Sequence, residues 1–105
     1  MRPLLVALLL LPVLAFADDL EYRLIIRDHQ FEPVELRVPA GKKVRLVVEN
    51  QDQSAEEFDS HALNREKVIP ANSTAPVYIG PLSPGRYPFI GEFHSNTANG
   101  VVVAE

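Results

Sequence analysis

Beyond residue 17 the chain alternates apolar and polar side chains with a period of two, the pattern of strands with one buried face. Leu20, Tyr22, Leu24 and Ile26 alternate with Glu21, Arg23 and Ile25, and Val34, Leu36 and Val38 with Glu35 and Arg37. After the turn Pro39-Ala40-Gly41-Lys42, Val44, Leu46 and Val48 continue to Glu49-Asn50. A polar stretch from Gln51 to Ala55 precedes a short strand over Glu56 to Ser60, with Phe58 facing the core. Val77 and Ile79, then Tyr87 to Gly91, then Gly100 to Ala104 mark the remaining strands. One stretch departs from the pattern: Ser60 to Lys67 predicts a helix of barely two turns capped by Ser60. About seven short strands with frequent turn signals predict an all-β Greek-key β-sandwich with one short helix. The run Leu82-Ser83-Pro84-Gly85-Arg86-Tyr87 predicts a tyrosine corner, in which a Tyr opening a strand bonds back to the backbone upstream.

The first seventeen residues follow a different rule. Arg2 supplies a positive charge, Leu4 to Leu14 form an apolar run, and Ala15-Phe16-Ala17 is a small-x-small cleavage site. The run is shorter than the roughly 20 apolar residues a membrane-spanning helix needs. Residues 1–17 therefore read as an export signal, and residues 18–105 as a single domain with no membrane span after cleavage. The formal charge of the chain is −4, and it becomes more negative when Arg2 is removed. An acidic domain of this kind is a poor partner for nucleic acid and attracts cations instead. The chain has no cysteine, although export would take it where disulfides form. Core packing must supply its stability, and thiol redox chemistry, Cys-based zinc sites and Fe–S clusters are excluded. Hydrolytic enzymes are poor candidates as well. There is no nucleophile elbow, no phosphate-binding glycine loop and no His-Glu-x-x-His pattern.

The residues that carry chemistry cluster in two places. "EEFDSHALNREK" puts Glu56, Glu57, Asp59, His61 and Glu66 into one short segment, and the last loop adds Glu92 and His94. Carboxylates with imidazole suit Fe(II), Fe(III), Mn(II) or Cu(II) better than Cu(I). Side chains alternate along a strand, so Glu57 and Asp59 share one face while Glu56 and Phe58 share the other. An acidic side chain on an acidic domain is by default a solvated face. His29 and His61 have no feature that lifts them above that background.

"FEPVELRVPAGKKVRLVVEN", Phe31 to Asn50, resembles the opening of small cupredoxin domains, and Tyr87 to Val103 resembles the strand–loop–strand that carries most ligands in blue-copper proteins. Laid on that pattern, the Cys position falls on Gly91, the following His on His94, the Met on Ala98 and the second His on Glu56. Gly100 matches the glycine that opens the final strand. One ligand of four remains, so the resemblance implies a cupredoxin-like sandwich without a blue-copper centre. It also implies that the segment around Glu56 lies beside the last loop at one end of the barrel. Glu57 and His94 are then the leading candidate metal ligands, with Glu56, Glu92 and Asp59 next.

The combination "EEFDS…LNREK…YIGPLSPGRYPFIGEFH" is similar to cupredoxin-like proteins of the EfeO type. That similarity implies a periplasmic protein that binds an iron or copper ion as an accessory of uptake, alongside an iron-permease system. The alternatives are a metal-free interaction module on the same scaffold and a small copper-dependent ferroxidase.

Overall fold

A computed structural model describes residues 20–105, so the export signal expected over residues 1–17 and the domain start at residue 18 lie outside the described residues. The strands are β1 (Leu20–Arg27), β2 (Gln30–Glu32), β3 (Glu35–Val38), β4 (Val44–Asn50), β5 (Glu56–Ser60), β6 (Arg65–Ile69), β7 (Thr74–Ile79), β8 (Gly85–Gly91) and β9 (Asn99–Ala104). One 3₁₀ turn, Glu92–His94, follows β8. The strands form a four-stranded sheet in the order β2-β1-β4-β7 and a five-stranded sheet in the order β3-β9-β8-β5-β6. Both sheets are mixed: β1 pairs with β4 and β3 with β9 in parallel, and the other pairs are antiparallel. This is the all-β sandwich the alternation predicts.

The inward faces match the pattern read from the sequence except at Leu20 and Val34, which are exposed. Leu24, Ile26, Leu36, Val38, Val44, Leu46, Val48, Phe58, Phe89 and Val102 are buried. Three aromatic rings centre the core. Phe31 meets Phe89 edge-on with centroids 4.9 Å apart, and Phe58 lies 5.0 Å from Phe89. Such pairs stabilise by about 0.5–1.5 kcal/mol beyond the area they bury. Gly100 makes the packing possible, because a Cβ there would stand 2.4 Å from the Phe89 ring. At the opposite pole, Tyr87 Oη donates to the Ser83 carbonyl at 2.8 Å, as the tyrosine corner requires.

The helix predicted over Ser60–Lys67 does not form. Residues 61–64 make a turn with Asn64 at a φ of 54°, and Arg65–Ile69 is edge strand β6. Ser60 does behave as a cap, since its Oγ accepts from Leu63 N at 3.0 Å. The chain then turns back to pair with β5 instead of continuing as a helix. Strand β6 hides from a pattern search because four of its five residues are exposed. Its charged Arg65, Glu66 and Lys67 blunt an open sheet edge against pairing with another chain. Strand β2 is short enough, at three residues, to escape the alternation test.

Phe89 touches both other rings from the middle of the core, so Phe89→Ala is expected to destabilise the domain by about 3–5 kcal/mol. Chemical denaturation checks this. A loss below about 1 kcal/mol would mean that the three rings do not form the central packing.

Candidate metal centre

Strand β5 decides which acidic side chain turns inward. Its burial alternates from Glu56 to Ser60, with Glu56, Phe58 and Ser60 in and Glu57 and Asp59 half-exposed on the other face. Phe58 pairs in register with Gly91, the last residue of β8. Glu56 therefore lies two residues beyond that pair, beside the loop that β8 feeds. The loop is closed by its own backbone: Gly91 N donates to Ala98 O at 2.9 Å and Ala98 N to His94 O at 2.8 Å.

Glu56 is 1 % exposed and fully partnered. Its Oε1 accepts from Glu57 N at 3.0 Å and from Phe93 N at 2.9 Å. Its Oε2 lies 2.6 Å from His94 Nδ1. A carboxylate that already collects two N–H donors acts as an acceptor here too, so Nδ1–H donates and Nε2 keeps the free lone pair of the ring. Small residues make room for the carboxyl group. A Cβ on Gly91 would stand 2.6 Å from Glu56 Cδ and 2.7 Å from Ala98 Cβ.

Gly91, His94, Ala98 and Glu56, the positions the resemblance lays on blue-copper ligands, do come together, and the Glu56 carboxyl group packs against Gly91 and His94. The donor set does not fit a blue-copper metal. Gly91 and Ala98 offer no sulfur, and the space a soft ion would take holds a hydrogen-bonded carboxyl group.

His29 completes the cluster from the other sheet. It sits in the two-residue link between β1 and β2 and stacks on His94, with ring centroids 3.6 Å apart and planes 14° from parallel. One donor atom from each of His29, Glu56 and His94 lies within 4.8 Å of the others. Their side chains range from exposed to buried, with His29 at 45 %, His94 at 27 % and Glu56 at 1 %. The site is a mouth with a buried floor. It can hold a cation against solvent through ring nitrogens while the carboxylate orients the deeper ring.

The expected partner for His94 therefore changes. Glu57, ranked first with His94 from the sequence, points away from it, because side-chain parity on β5 gives the inward place to Glu56. Glu57 instead forms a second acidic group with Asp59 and Glu66 on the outer face. Glu92 opens the 3₁₀ turn and is exposed. His61 is exposed on the turn after β5, at the end of that strand away from Glu56. His29 carried no distinguishing signal in the sequence. The available hint was the pair Asp28-His29 between two strands, which reads as a tight link delivering its residues to the end of β1. That end lies beside Asn50, because Ile26 pairs with Asn50 in the parallel register.

The outer acidic group has a measurable consequence. Partial burial, then repulsion from Glu66, Asp59, Glu92 and Glu56, raises the Glu57 carboxyl above its ordinary value. A carboxyl with a raised folded pKa binds its proton more tightly folded than unfolded. Its ionisation therefore costs stability as pH rises above the ordinary carboxylate range of about 4.3, and costs nothing below it. Glu57→Gln is expected to be more stable than the wild type at pH 7, with the difference vanishing below about pH 4. Thermal melts across that range check it. A variant less stable at pH 7 would mean that Glu57 makes a favourable contact instead.

Comparison with known proteins agrees with this architecture. An uncharacterized protein of Rickettsia prowazekii (strain Madrid E) is 40 % identical over 84 residues, which make up 80 % of this chain and 67 % of the relative. Auracyanin A, a blue copper protein of Chloroflexus aurantiacus, superposes with a TM-score of 0.71 at 16 % identity, over 83 % of this chain and 99 % of its own. The metal-binding domain of the Cu(I)-exporting P-type ATPase CopA of Streptococcus pneumoniae D39 superposes at 0.68 with 13 % identity, over 81 % and 84 % of the two chains. At such identities the two structures speak for the fold alone. The cupredoxin-like domain family matches residues 2–104, and this chain belongs to that family.

Proposed function

We propose that this is an exported, periplasmic metal-binding protein that holds one copper or iron ion at the mouth of the sandwich, as an accessory of iron or copper uptake. The observation that carries the reading is the gathering of His29, Glu56 and His94 donor atoms within 4.8 Å of one another at the mouth, with the His94 ring fixed by the buried Glu56 carboxylate. Parallel rings 3.6 Å apart cannot both aim an in-plane lone pair at one ion about 2 Å from each nitrogen, so the ion takes Nε2 of the fixed His94 and draws the His29 ring out of the stack. Imidazole and carboxylate donors suit Cu(II) and iron, and among divalent ions Cu(II) is favoured by its place in the affinity order. The copper named for auracyanin A and the Cu(I) named for the exporter domain support copper as the element, while the donor set here selects Cu(II). Glu57, Asp59 and Glu66 form a negative patch on the outer face of β5 and β6, and exposed Glu92 adds a charge in the loop that carries His94. In this reading they raise the local cation concentration without binding the ion directly. The half-exposed rings favour a held ion that exchanges readily, which suits delivery to an iron-permease system.

One observation favours a different reading. Glu56 already has three hydrogen-bonding partners, so the corner is stable without any ion. In that case the domain is a metal-free interaction module in which the carboxylate has taken over from the lost metal.

Titration of dialysed protein with Cu(II), and anaerobically with Fe(II), separates the two. The proposal expects about one equivalent of bound ion and a melting temperature that rises with ion concentration, by the equivalent of about 2.7 kcal/mol at a hundredfold excess over Kd. His94→Ala and His29→Ala should each weaken binding at least about tenfold, and Glu57→Ala much less. An unchanged melt and no stoichiometric ion would assign the domain to the metal-free class.

A further inference from the structure

His29 owes its place to a carboxylate outside the candidate ligand set. The link between β1 and β2 consists of Asp28 and His29, both at positive φ, 53° and 55°. Non-glycine residues in that region cost roughly 1–3 kcal/mol each and persist only where their surroundings over-determine them. Asp52 supplies that determination. Its Oδ1 accepts from Asp28 N at 2.8 Å and its Oδ2 from His29 N at 3.0 Å, so one carboxylate collects both backbone donors of the link. Oδ2 also lies 3.5 Å from His29 Nδ1, an electrostatic contact and not a hydrogen bond.

Asp52 is itself held from the core. Its backbone N donates to Asn50 Oδ1 at 2.9 Å. Asn50 is 1 % exposed and anchors its amide by donating to Ser54 O at 2.9 Å and Ile69 O at 3.1 Å. On the other side of the link, Thr97 Oγ1 donates to His29 O at 2.7 Å. Thr97 belongs to the loop that carries His94, so the two imidazoles are tied together through the backbone as well as through their rings.

We propose that Asp52 is a positioning residue of the metal site. Anchored by buried Asn50, it holds the Asp28-His29 link in its left-handed form and so keeps the His29 ring stacked on His94. The inference rests on the metal-site reading for its function, but its structural half stands apart from it. Asp52 holds the backbone that carries His29, whereas Glu56 holds the ring of His94 itself, so each histidine has one carboxylate behind it. Together the pair places both imidazoles at the mouth before any ion arrives, leaving the His29 ring free to turn about its side-chain bonds when an ion draws it from the stack. Carboxylates that orient metal-binding histidines typically contribute 10–100-fold to affinity when intact.

The test compares wild type, Asp52→Ala and Asp52→Asn. In the metal-free protein, NMR is expected to show nuclear Overhauser contacts between the His29 and His94 rings. Asp52→Ala should lose those contacts while amide signals from the strands persist, and it should bind Cu(II) about 10–100-fold more weakly. Asp52→Asn keeps one acceptor oxygen and should fall between the two. If Asp52→Ala does not fold, Asp52→Asn decides: weakened ring contacts and affinity uphold the proposal, and wild-type values for both overturn it. Retained ring contacts in a folded Asp52→Ala also overturn it, whatever the affinity. A wild type that binds no copper would defeat the metal site alone, and the ring contacts would still decide the role of Asp52.

Discussion

The site depends on one buried carboxyl group finding every partner it needs. Glu56 is removed from water, and a buried carboxylate is tolerated only when it is hydrogen-bonded and paired. It meets that condition with two backbone N–H groups and the His94 ring. Two of these interactions reach across the structure. Phe93 N and His94 belong to the loop after β8, whereas Glu56 belongs to β5, so the carboxylate fastens a sheet strand to the loop beside it. Removing it would leave buried donors unpaired, at about 1–3 kcal/mol for each. The glycine at position 91 follows from the same constraint, because a Cβ there would collide with the carboxyl group and with the Ala98 side chain.

This arrangement changes what the scaffold can do. A sandwich that gathers ligands around a soft ion has here gathered hydrogen-bond donors around an oxygen anion. The chemistry moves outward as a result. The buried floor is settled by Glu56, and the ring atoms left over face the mouth, where His29 joins from the opposite sheet. Blue-copper electron transfer has no place in such a corner, since it requires a thiolate in a trigonal nitrogen–sulfur set. Binding and release of a harder ion at an accessible pair of imidazoles do have one.

Much of the architecture was legible in the sequence because period-two alternation is a direct imprint of a half-buried strand. Leu24, Ile26, Phe58 and Val102 are inward in the structure for the same reason they are apolar at alternate positions. The tyrosine corner was readable because Tyr87 and the preceding Pro-Gly stand at fixed offsets. Legibility ended where the pattern carried no apolar face. Strand β6 has only Ile69 buried, and its short charged run imitates a helix. For the site, parity along β5 gave two mutually exclusive sets, and sequence had no means of choosing the phase except through Phe58. That residue pointed to Glu56 as its face-mate, and the structure puts that glutamate beside His94. His29 was invisible for a different reason. Its role comes from a left-handed two-residue link and from Asp52, which is 23 residues away, and neither leaves a local signature.

The most direct test of the account is pulsed electron paramagnetic resonance on the protein loaded with one equivalent of Cu(II). Two imidazoles gathered at the mouth predict a tetragonal copper signal, without the intense thiolate band, whose modulation reports the remote nitrogens of two coordinated imidazoles and falls to that of one in His29→Ala. A single coordinated imidazole in the wild type, or a signal untouched by loss of either ring, would contradict it.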